Sequence, residues 1–256
     1  MTQNKTQRLL IFSIALNGYQ WLYRDCLTSQ QKYADKINAD YVKIDRPYFT
    51  QVGTECCWLK LLLLQEALEK NFDLVLFLDA DAEVQADAPD IREVVQNNKH
   101  IYMAMGKTNR FNSGVILLQN SPQARHFIDQ VLLSRHNPIA AQHDVGWGEN
   151  GHIIQTAEKQ HQHSQWIAQL PTVWNNTCDP ELHDYIRHYN HGIMRNQIKG
   201  YKLFNFIHKC LAKSTRAINQ WKMWQEKQRY SASEIDAEKQ LFKLFTAARS
   251  FHSQIF

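Results

Sequence analysis

The chain has 256 residues, 44% of them hydrophobic and 21% charged, with a formal net charge of +4. That composition excludes a wholly disordered or fibrous chain, suits one α/β domain with a C-terminal extension, and is too mildly basic to identify a partner. Five cysteines (Cys26, Cys56, Cys57, Cys178, Cys210) are odd in number, and the adjacent pair lacks metal or redox spacing, so they read as reduced thiols in a cytoplasmic protein.

The first element is the apolar run Leu9 to Leu16, which follows Lys5 and Arg8. It is far shorter than the roughly 18 apolar residues of a membrane span, and polar Asn17-Gly18 ends it, so it reads as a buried strand opening into a loop. Tyr19 to Asn38 has helical spacing, and Tyr41 to Ile44 alternates as a half-exposed strand. Glu55 to Lys70 is rich in helix formers, and Leu74 to Leu78 is a continuous apolar run suited to a strand buried on both faces. A short helix after Asp90 precedes two more apolar strands, Ile101 to Ala104 and Val115 to Leu118. Ser121-Pro122 then opens a helix through Leu132, with proline at its first position.

From Pro138 to Pro171 and from Trp174 to Gly200 the sequence is rich in Gly, His, Gln and Asn, and it reads mainly as loop. Beyond Tyr201 long helical stretches are expected, the last opening with the capping box Ser231-Ala232-Ser233-Glu234 and carrying Leu241, Leu244, Phe245 and Ala248 on one face. The alternation of strand and helix predicts an α/β fold with a mostly parallel sheet. Residues 1–200 are read as the main α/β domain and 201–256 as a helical extension.

The chemistry centres on Phe77-Leu78-Asp79-Ala80-Asp81-Ala82-Glu83, where a buried strand runs into two carboxylates. In open α/β sheets ligands bind at the carboxyl ends of strands. Two adjacent carboxylates repel unless a cation lies between them, and hard oxygen ligands favour Mn²⁺ or Mg²⁺. Downstream, Phe111-Asn112-Ser113-Gly114 feeds the strand beginning at Val115. There Gly114 allows close backbone approach, and the Asn112 amide offers both donors and acceptors to a polar ligand.

These stretches resemble the GT-A glycosyltransferases, above all the retaining galactosyl- and xylosyltransferase families and, more loosely, the glycogenin-like families. The likeness covers roughly Leu9 to Gly200. It implies a GT-A fold and metal-dependent transfer of a hexose from a UDP-sugar to a saccharide or glycolipid, with retention, in bacterial surface polysaccharide or lipopolysaccharide assembly. It also implies Asp79 and Asp81 as metal ligands, with Asp79, Asn112, Ser113 and Gly114 lining the donor site.

Gly148-Glu149-Asn150 is similar to the families' acidic stretch beside the sugars, which makes Glu149 the preferred catalytic candidate, with Asp144 as its competitor. His188-Tyr189-Asn190-His191-Gly192, followed by Arg195 and Lys199, resembles their C-terminal His-Gly-Lys region without its spacing. His191 is taken as the third metal ligand, with His188 as the alternative. Lys199 or Arg195 is placed against the diphosphate. Asn17 and Tyr19 fall where these families hold the nucleobase, and Lys60 falls where they contact the donor phosphate or sugar. A core tyrosine and a solvated helix lysine are the plainer readings of Tyr19 and Lys60.

The C-terminal part interleaves Lys202, Lys209, Lys213, Arg216, Lys222, Lys227 and Arg229 with Phe204, Trp221 and Trp224. Such a face suits peripheral contact with an anionic membrane at its inner surface, and no recognised nucleic-acid module is present. A haloacid dehalogenase-type phosphohydrolase also places Asp-x-Asp after a strand, but Glu83 stands where that pattern has Thr or Val. A non-catalytic sugar-nucleotide binder is the other alternative.

Overall fold

The computed structural model describes residues 7–48, 50, 53–146, 148–159, 165–207, 210 and 237–256. Among these, six strands form one sheet in the order β2-β1-β3-β6-β5-β7. They are β1 (Leu9–Ile14), β2 (Asp40–Ile44), β3 (Leu74–Leu78), β5 (Ile101–Ala104), β6 (Val115–Gln119) and β7 (Ile167–Leu170). Only β6 runs against its neighbours; the β1–β2, β1–β3 and β5–β7 pairs are parallel. Two short antiparallel strands, β4 (Ala82–Val84) and β8 (Ile186–His188), form a second small sheet.

Alternate residues of the main sheet enter two apolar layers, as strand geometry requires. Leu10, Phe12, Val75, Phe77, Ile116 and Leu118 pack with α3 (Leu59–Leu68), α4 (Pro122–Leu133) and α5 (Asn150–Lys159). Leu9, Ile11, Leu74, Leu76, Leu78, Val115 and Leu117 face the other way, with Tyr33 and Ala34 of α2 (Arg24–Lys36) and with the small sheet. All five residues of β3 are buried, which accounts for its unbroken apolar run.

The helix expected from Tyr19 breaks at Tyr23 into α1 (Tyr19–Leu22) and α2, because Tyr23 leaves helical geometry while its ring is buried with Ala15, Cys26, Leu27 and Ala80. Ser121 caps α4, its hydroxyl accepting from the Ala124 amide at 3.2 Å.

The stretches read as loop are corrected by the structure. They hold α5, β7, β8 and α6 (Gly192–Asn196). The strands there have only three or four residues, too few to show a period, and α5 is buried from Gly151 to Ala157, so its polar residues do not mark an exposed face.

Residues 201–207 are helical. The C-terminal helix α7 (Ala237–Phe251) buries Leu241, Leu244 and Ala248 in the same core as α3, and Phe256 meets Phe12 edge to face at 5.8 Å. The expected capping box at 231–234, and every basic or aromatic residue of the predicted membrane face except Lys202 and Phe204, lie outside the described residues.

Candidate metal and donor site

Because β3 and β6 are antiparallel neighbours, the end of β3 meets the start of β6, with Leu78 opposite Val115. The Asp79 amide donates to the Gly114 carbonyl at 2.8 Å, so the Asp-Ala-Asp turn and the Asn-Ser-Gly turn lie side by side. Gln30 of α2, fully buried, clamps the first of these: its amide nitrogen donates to the carbonyls of Asp79 (3.0 Å) and Ala82 (2.7 Å). Its oxygen accepts from Ser13 and Tyr41.

Past the turn, β4 pairs with β8 so that Ala82 stands opposite His188, and the Tyr189 amide donates to the Asp81 carbonyl at 2.9 Å. This register brings the His188 imidazole onto the carboxylates. Its Nε2 lies 3.2 Å from Asp81 Oδ1 and 3.5 Å from Asp79 Oδ2. Ligand atoms of Asp79, Asp81 and His188 all fall within 4.8 Å of one another. His191, the expected third ligand, is outside this group; it is exposed and its Nδ1 lies 2.6 Å from Asn190 Oδ1. The alternative, His188, is the histidine the strand register delivers.

Two observations fit a divalent cation here. His188 Nε2 is buried without a hydrogen-bond partner, although it faces two carboxylates. Burial and the neighbouring carboxylates of Asp81 and Glu149 raise the Asp79 pKa against the pull of Lys60 and His188. Burial would also raise Asp81, but the charge of His188 holds it low, so the two aspartates do not ionise with equal ease. The His188 pKa is opposed by burial, yet Asp81 raises it. A cation would resolve this conflict by giving both carboxylates and the imidazole lone pair a shared partner.

Gly114 is required for the approach of His188. A Cβ at that position would collide with His188 Cε1 and lie 2.8 Å from Asp79 Oδ2. The glycine read as permitting close contact with a ligand is in place for close contact with the His188 side chain.

On the other flank, Lys60 is buried under the same turn. Its ammonium lies 2.7 Å from Glu149 Oε1, 3.5 Å from Asp79 Oδ1 and 4.6 Å from the Phe77 ring centre. Burial works against its charge, but Asp79 and Glu149 outweigh that and raise its pKa. Glu149 is buried too, accepting from Ser113 Oγ at 2.7 Å. The solvated-helix reading of Lys60 is thereby excluded, and Glu149 is no surface acid.

Asp144 is exposed, and its carboxylate accepts from the Gly146 amide at 2.6 Å, a turn contact. Ser113 and Asn112 use their side chains within the protein; Asn112 Oδ1 accepts from the Gly114 amide (3.0 Å) and from Asn175 (2.9 Å). Asn150 holds the same turn through both ends of its amide, to the Ser113 amide and the Phe111 carbonyl.

At the end of β1, Asn17 takes a left-handed conformation (φ 57°) and its side chain accepts from the Thr50 amide at 2.7 Å, bracing that loop. Tyr19 is 43% exposed, edge-on to Tyr23. Lys199 is exposed, whereas half-buried Arg195 of α6 donates to the Tyr189 carbonyl and its charge helps to lower the Asp81 pKa.

No family model matches the chain, and no curated protein matches it. Solved structures do. A glycosyltransferase involved in glycosylation of the major capsid of PBCV-1 is similar over 77% of this chain and 99% of its own, at 15% identity and a TM-score of 0.56. An active-site mutant of LgtC is similar over 79% of this chain and 95% of its own, at 12% identity and a TM-score of 0.50.

Proposed function

We propose that this chain, which has the GT-A glycosyltransferase fold, is a metal-dependent glycosyltransferase that moves a hexose from a UDP-sugar to a saccharide or glycolipid acceptor. The convergence of Asp79, Asp81 and His188 at the end of β3 carries the reading. Asp79, Asp81 and Glu149 bring three carboxylates against the Lys60 ammonium, with the Arg195 charge acting on Asp81, and a bound divalent ion adds positive charge that the cluster is short of.

When bound by Asp79, Asp81 and His188, Mn²⁺ or Mg²⁺ supplies positive charge for the diphosphate oxygens of the leaving nucleotide. The chain's own residues do the rest. Arg195, whose charge already acts on Asp81, offsets charge developing on the departing diphosphate, with Lys199 as a more exposed second cation. Tyr19 offers an exposed ring to the base. Lys60 and Glu149 form a rigid buried pair facing the donor sugar. Because Glu149 is held by Lys60 and Ser113, it is not a free base for the acceptor, which favours retention over an inverting mechanism.

A glycolipid acceptor, reached from the inner membrane surface, is supported by exposed Ile193 of α6 and exposed Leu203, Phe206 and Ile207 of the helical stretch 201–207. No helix among the described residues is long and apolar enough to cross a membrane. A panel of UDP-sugars with Mn²⁺, read by release of UDP with and without acceptor, tests the function. Metal-dependent UDP release is expected; release of inorganic phosphate from simple phosphoesters instead would contradict transfer and favour a phosphohydrolase.

A further inference from the structure

Asn175 was not singled out by any sequence motif, yet it is fully buried between the metal cluster and the Asn-Ser-Gly turn. Its neighbour Asn176 bridges to Arg187 of β8, with the His188 amide donating to the Asn176 carbonyl at 2.9 Å, so the two segments run side by side. This places Asn175 Oδ1 2.9 Å from His188 Nδ1.

The direction of every bond in this relay follows from groups whose roles are unambiguous. The Gly114 amide can only donate, so the Asn112 atom 3.0 Å from it is the carbonyl oxygen. The Asn112 backbone carbonyl can only accept, and it lies 3.3 Å from the same Asn175 atom that is 2.9 Å from Asn112 Oδ1. That Asn175 atom is therefore the amide nitrogen. Its oxygen is then turned to the imidazole, and His188 Nδ1 must carry the proton. The lone pair is left on Nε2, the atom buried without a hydrogen-bond partner and facing Asp79 and Asp81.

We propose that Asn175 is a positioning residue that holds the His188 ring with Nδ1 protonated and Nε2 presented to the cation, and that it does so under orders relayed from the Gly114 amide through Asn112. The inference rests on the metal reading above. Ligating histidines generally donate their second nitrogen to such a partner, and losing it weakens metal binding by about 10–100-fold.

The test is Mn²⁺ calorimetry on the full chain for wild type, Asn175→Leu and Asn175→Asp, with thermal unfolding in EDTA reporting the fold. Leucine keeps the shape and removes both hydrogen bonds; aspartate keeps an acceptor for Nδ1 and removes the donor to Asn112. The expected result is an affinity loss of about 10–100-fold for Asn175→Leu, most of it recovered by Asn175→Asp. Equal affinity in wild type and Asn175→Leu, or Asn175→Asp as weak as Asn175→Leu, would overturn the inference while leaving the metal site standing. Wild type taking up no Mn²⁺ would overturn the metal reading itself. If Asn175→Leu does not fold, Asn175→Asp decides alone: affinity near wild type supports the role, and a loss of tenfold or more ends it.

Discussion

The two flanks of the Asp79 turn are built from similar groups and finished differently. On one side, Lys60, Glu149 and Ser113 close on one another with contacts of 2.7 Å, and their charges and hydrogen bonds are matched. On the other, Asp79, Asp81 and His188 converge but leave a buried nitrogen unpartnered and two carboxylates in conflict. The closed flank is a scaffold that holds its own shape; the open flank is the one proposed to take a cation. Substitutions should therefore separate folding from cation binding according to the flank they touch.

The largest separation is expected from Asp81→Ala. The carboxylate contributes coordination rather than packing, so metal-dependent UDP binding and transfer should be abolished while the fold survives. Calorimetry with UDP and Mn²⁺ on the folded variant checks it, and unchanged binding would remove Asp81 from the site.

Lys60→Met should act in the opposite sense. It strands Glu149 without its ammonium, and breaking a buried pair costs about 3–5 kcal/mol of stability. The double variant Lys60→Met/Glu149→Gln should unfold less readily than Lys60→Met alone, as denaturant midpoints would show. Additive losses would mean the pair is not coupled.

Gly114→Ala lies between the flanks. The added methyl meets His188 and Asp79, so overpacking should cost about 1–3 kcal/mol and Mn²⁺ affinity should fall with it. A stable variant with wild-type affinity would show that the turn yields more freely than its packing implies.

The smallest effect is on pH. His188 and Asp79 have raised pKa values in the metal-free protein, so a cation competes with protons and its affinity should rise with pH by up to about tenfold per unit for each proton displaced. In EDTA the His188 contribution has the opposite sign. A folded pKa above the unfolded one adds stability below the unfolded pKa, and that stability is lost as pH rises through the raised value. Paired melts with Mn²⁺ and with EDTA should therefore diverge as pH increases, and parallel curves would argue against proton competition.

The same contrast explains what was readable in the residues. Asp79 and Asp81 stand at the end of a strand buried on both faces, and a continuous apolar run ending in Asp-x-Asp is visible in one dimension. So is Gly114, although its use is to admit His188 rather than the ligand alone. The choice of His188 over His191 depends on the pairing of two three-residue strands, far too short to leave a period. Asn175, Gln30 and Asn150 act through side-chain amide hydrogen bonds to backbone or imidazole across 13 to 63 residues of chain, a relation that no local spacing encodes. Glu149 and Lys60 were legible as candidates, but their mutual burial emerges only when α3 and the start of α5 meet under the turn. The α5 helix itself was hidden by its polar composition.

The most direct test of the cation site is a crystal structure with Mn²⁺ and UDP, read by anomalous scattering from the metal. The account predicts one Mn²⁺ bound by Asp79, Asp81 and Nε2 of His188, with the diphosphate against it. Metal held elsewhere, or held at the turn with His188 turned away, would contradict it.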